Sequence, residues 1–186
     1  MRKRALPWLG ASALVLAAGA LTLATPPDDA LTGPFAVRGS AGETVTSRTM
    51  QVEVTGASFA DTIAVPDASW QADGNWLVIE LEASAPLSEE DASVRLVTLE
   101  IDGRLFQASE RPASSLLQSR LHVGTAISGS LAFELPAGVR AGEGVLRLSS
   151  SSPTPLLDDV VAITVRLDDL ASADTIELER PDWTTP

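Results

Sequence analysis

The chain has no cysteine and no tyrosine, one histidine (His122) and one lysine (Lys3). Without cysteine there are no disulfides, thiolate nucleophiles, cysteine-based zinc or iron–sulfur sites, or lipid-modified cysteine start. With a single histidine, the usual nucleophilic triads lack spare parts. Aromatic residues make up only 4%, which speaks against clefts built on aromatic platforms. Basic residues are scarce as well: 13 Lys and Arg face 25 Asp and Glu, for a net charge of −12. Arg2, Lys3 and Arg4 sit at the extreme start, so the remainder is more acidic still. Such a body repels phosphate backbones and shows no basic stripe to neutralise them, which argues against nucleic-acid binding. The same charge favours solubility.

The 186 residues suit one domain with tails, and 45% hydrophobic with 20% charged residues is a globular composition. Arg2-Lys3-Arg4 precedes an uncharged apolar stretch, Ala5 to Ala24. A basic start before such a stretch reads as an export signal, with residues 1–4 in the cytoplasm and everything after Ala24 outside. Its 20 residues match the length needed to cross a hydrocarbon core. The expectation is therefore a retained single-pass anchor over 5–24. Cleavage after Ala20 or Ala24 is the alternative, and would give a secreted protein. Residues 25–42, rich in Pro, Gly, Ala and Asp, read as a linker, within which Phe35-Ala36-Val37 is able to add a short edge strand.

From Glu43 the period is two. Met50, Val52 and Val54 share one face, as do Leu77, Ile79 and Leu81, with Trp76, Val78, Glu80 and Glu82 on the other. This second strand reads as central and partly covered on its second face. Asp73-Gly74-Asn75 reads as a turn. Asp102-Gly103, between Val94–Ile101 and Arg104–Gln107, is a hairpin signal, because a type I′ turn needs positive φ at both central residues. Ile127, Gly129, Leu131, Phe133 and Leu135 alternate up to Pro136, and Val161, Ile163, Val165 and Leu167 do so later. About eight to nine short strands follow, with no helical stretch able to supply crossovers. That pattern predicts an all-β, antiparallel β-sandwich over 43–180 and a tail over 181–186.

The spaced pattern over about residues 45–150 resembles the bacterial secreted immunoglobulin-like domains of unknown function related to the mycobacterial immunoprotective extracellular protein. It is carried by Gly74-Asn75-Trp76-Leu77-Val78-Ile79-Glu80-Leu81, Asp102-Gly103-Arg104-Leu105-Phe106, Val123-Gly124, and Gly129-Ser130-Leu131-Ala132-Phe133-Glu134-Leu135-Pro136. The resemblance implies an immunoglobulin-like sandwich, without a disulfide here, that is exported and often membrane-tethered, with no established catalytic activity. Two departures stand out. Glu82-Ala83-Ser84 replaces the usual Asn closing the first core strand, and the region after Ser150 extends beyond the shared pattern.

His122 is the only plausible general base, and no motif surrounds it, so a surface position is expected. The acidic runs Glu89-Glu90-Asp91, Asp158-Asp159 and Asp168-Asp169 lack the spacing of a calcium loop and read as solvated surface. Trp76, Phe106 and Phe133 read as core. Trp70, placed in a loop, and Trp183, in the tail, are the candidate exposed contacts. No catalytic, cofactor-binding or metal residue is assigned. The expected function is non-catalytic: a protein-interaction or accessory module at the cell envelope, with an unidentified envelope protein as partner. A small-ligand or calcium-binding secreted module is the alternative.

Overall fold

Apolar and polar residues alternate along most of the body, and this alternation resolves into short strands that each offer one face to a common interior. A computed structural model describes residues 5–24, 32–151 and 153–184. The chain divides into a unit over Met1–Gly33 and a body over Pro34–Pro186. In the first unit Ala5–Ala24 forms a helix, α1. Side chains of α1 are described at 11–20 and at Thr22, whose hydroxyl donates to the Ala18 carbonyl at 2.9 Å. Among the described residues no helix is long and apolar enough to cross a membrane, so the single-pass anchor expected over 5–24 is not shown.

The body contains β1 (Phe35–Ser40), β2 (Thr44–Thr46), β3 (Gln51–Val65), β4 (Trp70–Ser84), β5 (Leu96–Ile101) and β6 (Arg104–Gln107). After them come β7 (Ala126–Leu135), β8 (Glu143–Ser149), β9 (Asp159–Arg166), β10 (Ala171–Glu177) and β11 (Asp182–Thr184). One sheet has the order β1-β9-β8-β5-β6; the other has β10-β3-β4-β7-β11, with β2 also on β3. The two sheets form a β-sandwich.

Between the sheets, Leu77, Ile79 and Leu81 of β4 and Leu131, Phe133 and Leu135 of β7 join Val97, Leu99, Leu146, Leu148, Val161 and Ile163 in one buried cluster. Burying each such side chain contributes about 1.5–3 kcal/mol relative to exposure. A second, smaller cluster covers the outer face of the second sheet: Ala60, Ile63, Val65, Trp76, Val78 and Ala132, with Leu178 laid over them. The covered second face expected for β4 is thus present. Trp76 is fully buried and its Nε1 donates to the Ala72 carbonyl at 3.1 Å.

Several expectations need correction. The sandwich is not wholly antiparallel, because β1 runs parallel to β9 and β10 runs parallel to β3. Both pairs lie at sheet edges and join segments far apart in sequence, so no hairpin dictates their direction. Asp73-Gly74-Asn75 is not a turn, since β4 passes straight through it. Ala60 pairs with Trp76 and Thr62 with Asp73, so Gly74 and Asn75 face a single residue of β3 and form a bulge. The reversal lies earlier, at Pro66–Ala68, where Ser69 has φ 50°. Within the 25–42 stretch read as linker, the edge strand allowed at 35–37 is β1 and runs on to Ser40, while the 181–186 tail supplies β11. Eleven strands stand among the described residues, more than the eight to nine expected. The Asp102-Gly103 hairpin is as expected, with φ of 50° and 73°.

Candidate functional site

At one end of the sandwich the connections on either side of β5 and β6 are stitched to one another. Ala85 N–H donates to the His122 carbonyl at 3.0 Å, and Leu121 N–H to the Ala92 carbonyl at 2.9 Å. Within the first connection the Ser88 hydroxyl accepts from the Glu90 N–H at 3.1 Å, a local side-chain turn that presents Glu89 outward. Glu89 then receives the Val123 N–H at 3.2 Å and lies 3.0 Å from His122 Nδ1. These two donors hold its carboxyl below the ordinary value of 4.5, the His122 bond being the larger cause. The His122 ring in turn lies 4.8 Å from the Trp183 ring, tilted by 55°. Trp183 is held at the rim by pairing with Ile127 of β7 and stays 42% exposed. The result is an exposed ledge with an acceptor carboxylate, an imidazole and an aromatic face. It suits contact with another polar, partly apolar surface.

The acidic runs have separate local tasks. Asp158 accepts from the Ser151 hydroxyl, from the Asp159 N–H at 2.9 Å and from the Arg48 guanidinium. Its carboxyl is lowered from the ordinary 3.8, chiefly by the Ser151 bond. The Asp159 carboxylate accepts the Arg48 N–H at 2.7 Å. Asp168 accepts the Gly142 N–H at 3.0 Å, at the entry to β8. Glu90, Asp91 and Asp158 do line one recess of about 700 Å³, but Arg48 and Arg95 line it too. Among the described residues no group of three His, Asp or Glu is placed to hold a metal ion.

The two tryptophans differ in kind. Trp70 does not lie in a loop: it opens β4 opposite Val65 and packs, half-buried, on the outer apolar cluster. The Arg111 guanidinium lies 5.8 Å from its ring centroid and 5.6 Å from that of Trp76, and pairs with Glu134 at 2.9 Å. Trp70 is thus largely occupied by its own chain, while Trp183 presents its ring outward. Of the residues read as core, Trp76 and Phe133 are fully buried and Phe106 is partly buried. Arg111 carried no signal in the sequence, because a lone arginine in a serine-rich loop has no pattern around it.

No family model matches the chain, and no curated protein matches it. Among solved structures, a protein of Staphylococcus aureus subsp. aureus NCTC 8325, provisionally named a lipoprotein, is similar over 74% of this chain and 97% of its own. The identity is 11% and the TM-score 0.46, a likeness too slight to bear on function.

Proposed function

We propose that the chain is an exported envelope protein whose body is an immunoglobulin-like sandwich acting without catalysis, as a protein-interaction or accessory module. The observation that carries this reading is the order of charge along the chain. Arg2-Lys3-Arg4 comes first, then the uncharged Ala5–Ala24 stretch, then an acidic, strand-rich body. That order favours retention of the start on the cytoplasmic side and transfer of the body across the membrane. The resemblance over about residues 45–150 supports the immunoglobulin-like arrangement. The exposed ledge of Glu89, His122 and Trp183 supports a role in contact rather than turnover.

The test is fractionation of cells producing the native chain, followed by mass spectrometry of its N-terminus and by cross-linking. The reading expects the body outside the membrane. An intact start in the membrane fraction identifies an anchor, and a start at Leu21 or Thr25 identifies a cleaved signal. A body found wholly in the cytoplasm, or turnover of a substrate by the purified chain, overturns it.

A further inference from the structure

The outer face of the second sheet changes character along its length. Near the β3–β4 reversal it is apolar and sealed by Leu178. Toward the other end the same face of β4 carries Glu80 and Glu82, opposite Ser130 and Ser128 of β7. The segment 178–181 links β10, on one edge of the sheet, to β11, on the other. It thus forms a strap.

Between strap and sheet lies a groove of about 470 Å³ whose wall includes Glu80, Glu82, Glu177, Glu179 and Asp182. Arg180 also lines it, but its Nε lies 3.3 Å from Asp67 and its charge is matched there. Glu82 accepts the Ser128 hydroxyl at 3.2 Å. The side-chain carboxylates of Glu80, Glu177 and Glu179 make no hydrogen bond or ion pair among the described residues.

A second observation points into the same groove. Ser130 is only 8% exposed, lines the groove, and its Oγ is buried without a hydrogen-bond partner. It shares the outward face with Glu80, its partner across the ladder. A buried hydroxyl left unpaired is costly, and an incoming donor would satisfy it. A cationic donor fits best, since three unmatched carboxylates line the same groove. A bare metal ion fits poorly, because no three carboxylates are close enough to share one among the described residues. Apolar Val78 and Ile176 also line the groove, so half of it suits an aliphatic stem. Lysine and arginine side chains have this combination of apolar stem and charged head.

We propose that this groove docks an extended Arg- or Lys-bearing segment of a partner protein. The inference deepens the interaction reading above and rests on it for its biological setting. The binding itself can be measured on the isolated full chain.

The probe is a fluorescein-labelled peptide of alternating Arg and Val, titrated with the full-length chain at low salt and followed by anisotropy. Saturable binding is expected. The double variant Glu80→Gln/Glu179→Gln should weaken it about tenfold, whereas Glu90→Gln/Asp91→Asn, which removes the same charge elsewhere, should change it less than about twofold. Ser130→Ala should weaken it about threefold, through loss of one hydrogen bond. Circular dichroism establishes folding of each variant, and the exposed single variant Glu179→Gln serves if the double variant does not fold. No saturable binding by the wild-type chain, or equal losses in the two double variants, overturns the groove. Displacement of the peptide by spermidine or Ca²⁺ at concentrations below those at which the peptide itself binds overturns the polypeptide assignment. If the native chain cross-links to an envelope partner and the groove variants cross-link equally well, the groove fails and the interaction reading stands. If the native chain proves cytoplasmic while the peptide binds as expected, the reverse holds.

Discussion

His122 Nδ1 lies 3.0 Å from Glu89 Oε2, joining two connections that are distant in sequence. The pair is exposed, yet with the Val123 N–H it lowers the Glu89 carboxyl. A carboxyl depressed in the folded state contributes stability fully above its unfolded value, and that contribution is lost as pH falls through the lower folded value. The thermal midpoint of the wild-type chain should therefore drop more steeply than that of Glu89→Gln as pH falls below 4.5. Below the pH at which Glu89 is protonated in both states, the two curves should run parallel. Parallel curves across the whole range, from scanning calorimetry, would show that the bond does not persist in solution.

Trp76 is the largest fully buried side chain on the outer face, and its indole N–H is matched by the Ala72 carbonyl. Trp76→Ala removes that volume beneath Trp70 and Arg111 and leaves the carbonyl without its partner. The expected loss is about 3–5 kcal/mol of unfolding free energy. Phe106→Ala, at a partly buried site on the other sheet, should cost clearly less. Urea denaturation followed by the remaining tryptophans measures both.

Leu178 makes a different kind of contact. It is 3% exposed, its N–H donates to the Ala64 carbonyl at 2.8 Å, and it is the strap's contribution to the outer cluster. Leu178→Ala should cost about 2–4 kcal/mol if the strap is part of the cooperative fold. It should also open the 178–184 segment to proteolysis. Limited digestion with a glutamate-specific protease and mass spectrometry will report cleavage after Glu179 appearing in the variant before it appears in the wild type. Equal digestion rates would mean the strap is already detached in solution.

Much of the interior was legible in the sequence. Ile127 to Leu135 alternates because β7 lies between a buried and a partly covered face, and the placement of Trp76 and Val78 opposite Leu77 and Ile79 follows from the same period. Asp102-Gly103 was legible because few residues tolerate two successive positive φ values. Asp73-Gly74-Asn75 misled because a bulge and a turn use the same residues for the same conformational freedom. β11 was hard to see because its side chains are mostly exposed and need not alternate. The contact ledge escaped for another reason. Glu89, His122 and Trp183 come from three separate segments, and only the stitching of loops places them together. The groove beneath the strap has the same origin: Glu80 and Ser130 become neighbours only through the register of β4 and β7.

The glycines of β7 and of the hairpin separate two reasons for conserving space and for permitting a backbone turn. A Cβ on Gly129 would stand 2.8 Å from Leu116 Cγ and 3.3 Å from Pro181 Cβ, at a position where φ is ordinary. Gly129→Ala should therefore cost about 1–3 kcal/mol by overpacking. A Cβ on Gly103 would meet nothing within 4 Å, but φ there is +73°. Gly103→Ala should cost about 1–2 kcal/mol through backbone strain alone. The two mechanisms part company in a second variant. Leu116→Ala opens space, so in that background Gly129→Ala should lose most of its penalty, while Gly103→Ala should keep all of it. Double-mutant cycles from urea denaturation measure the difference, and additive losses at Gly129 and Leu116 would mean that the two residues do not press on each other in solution.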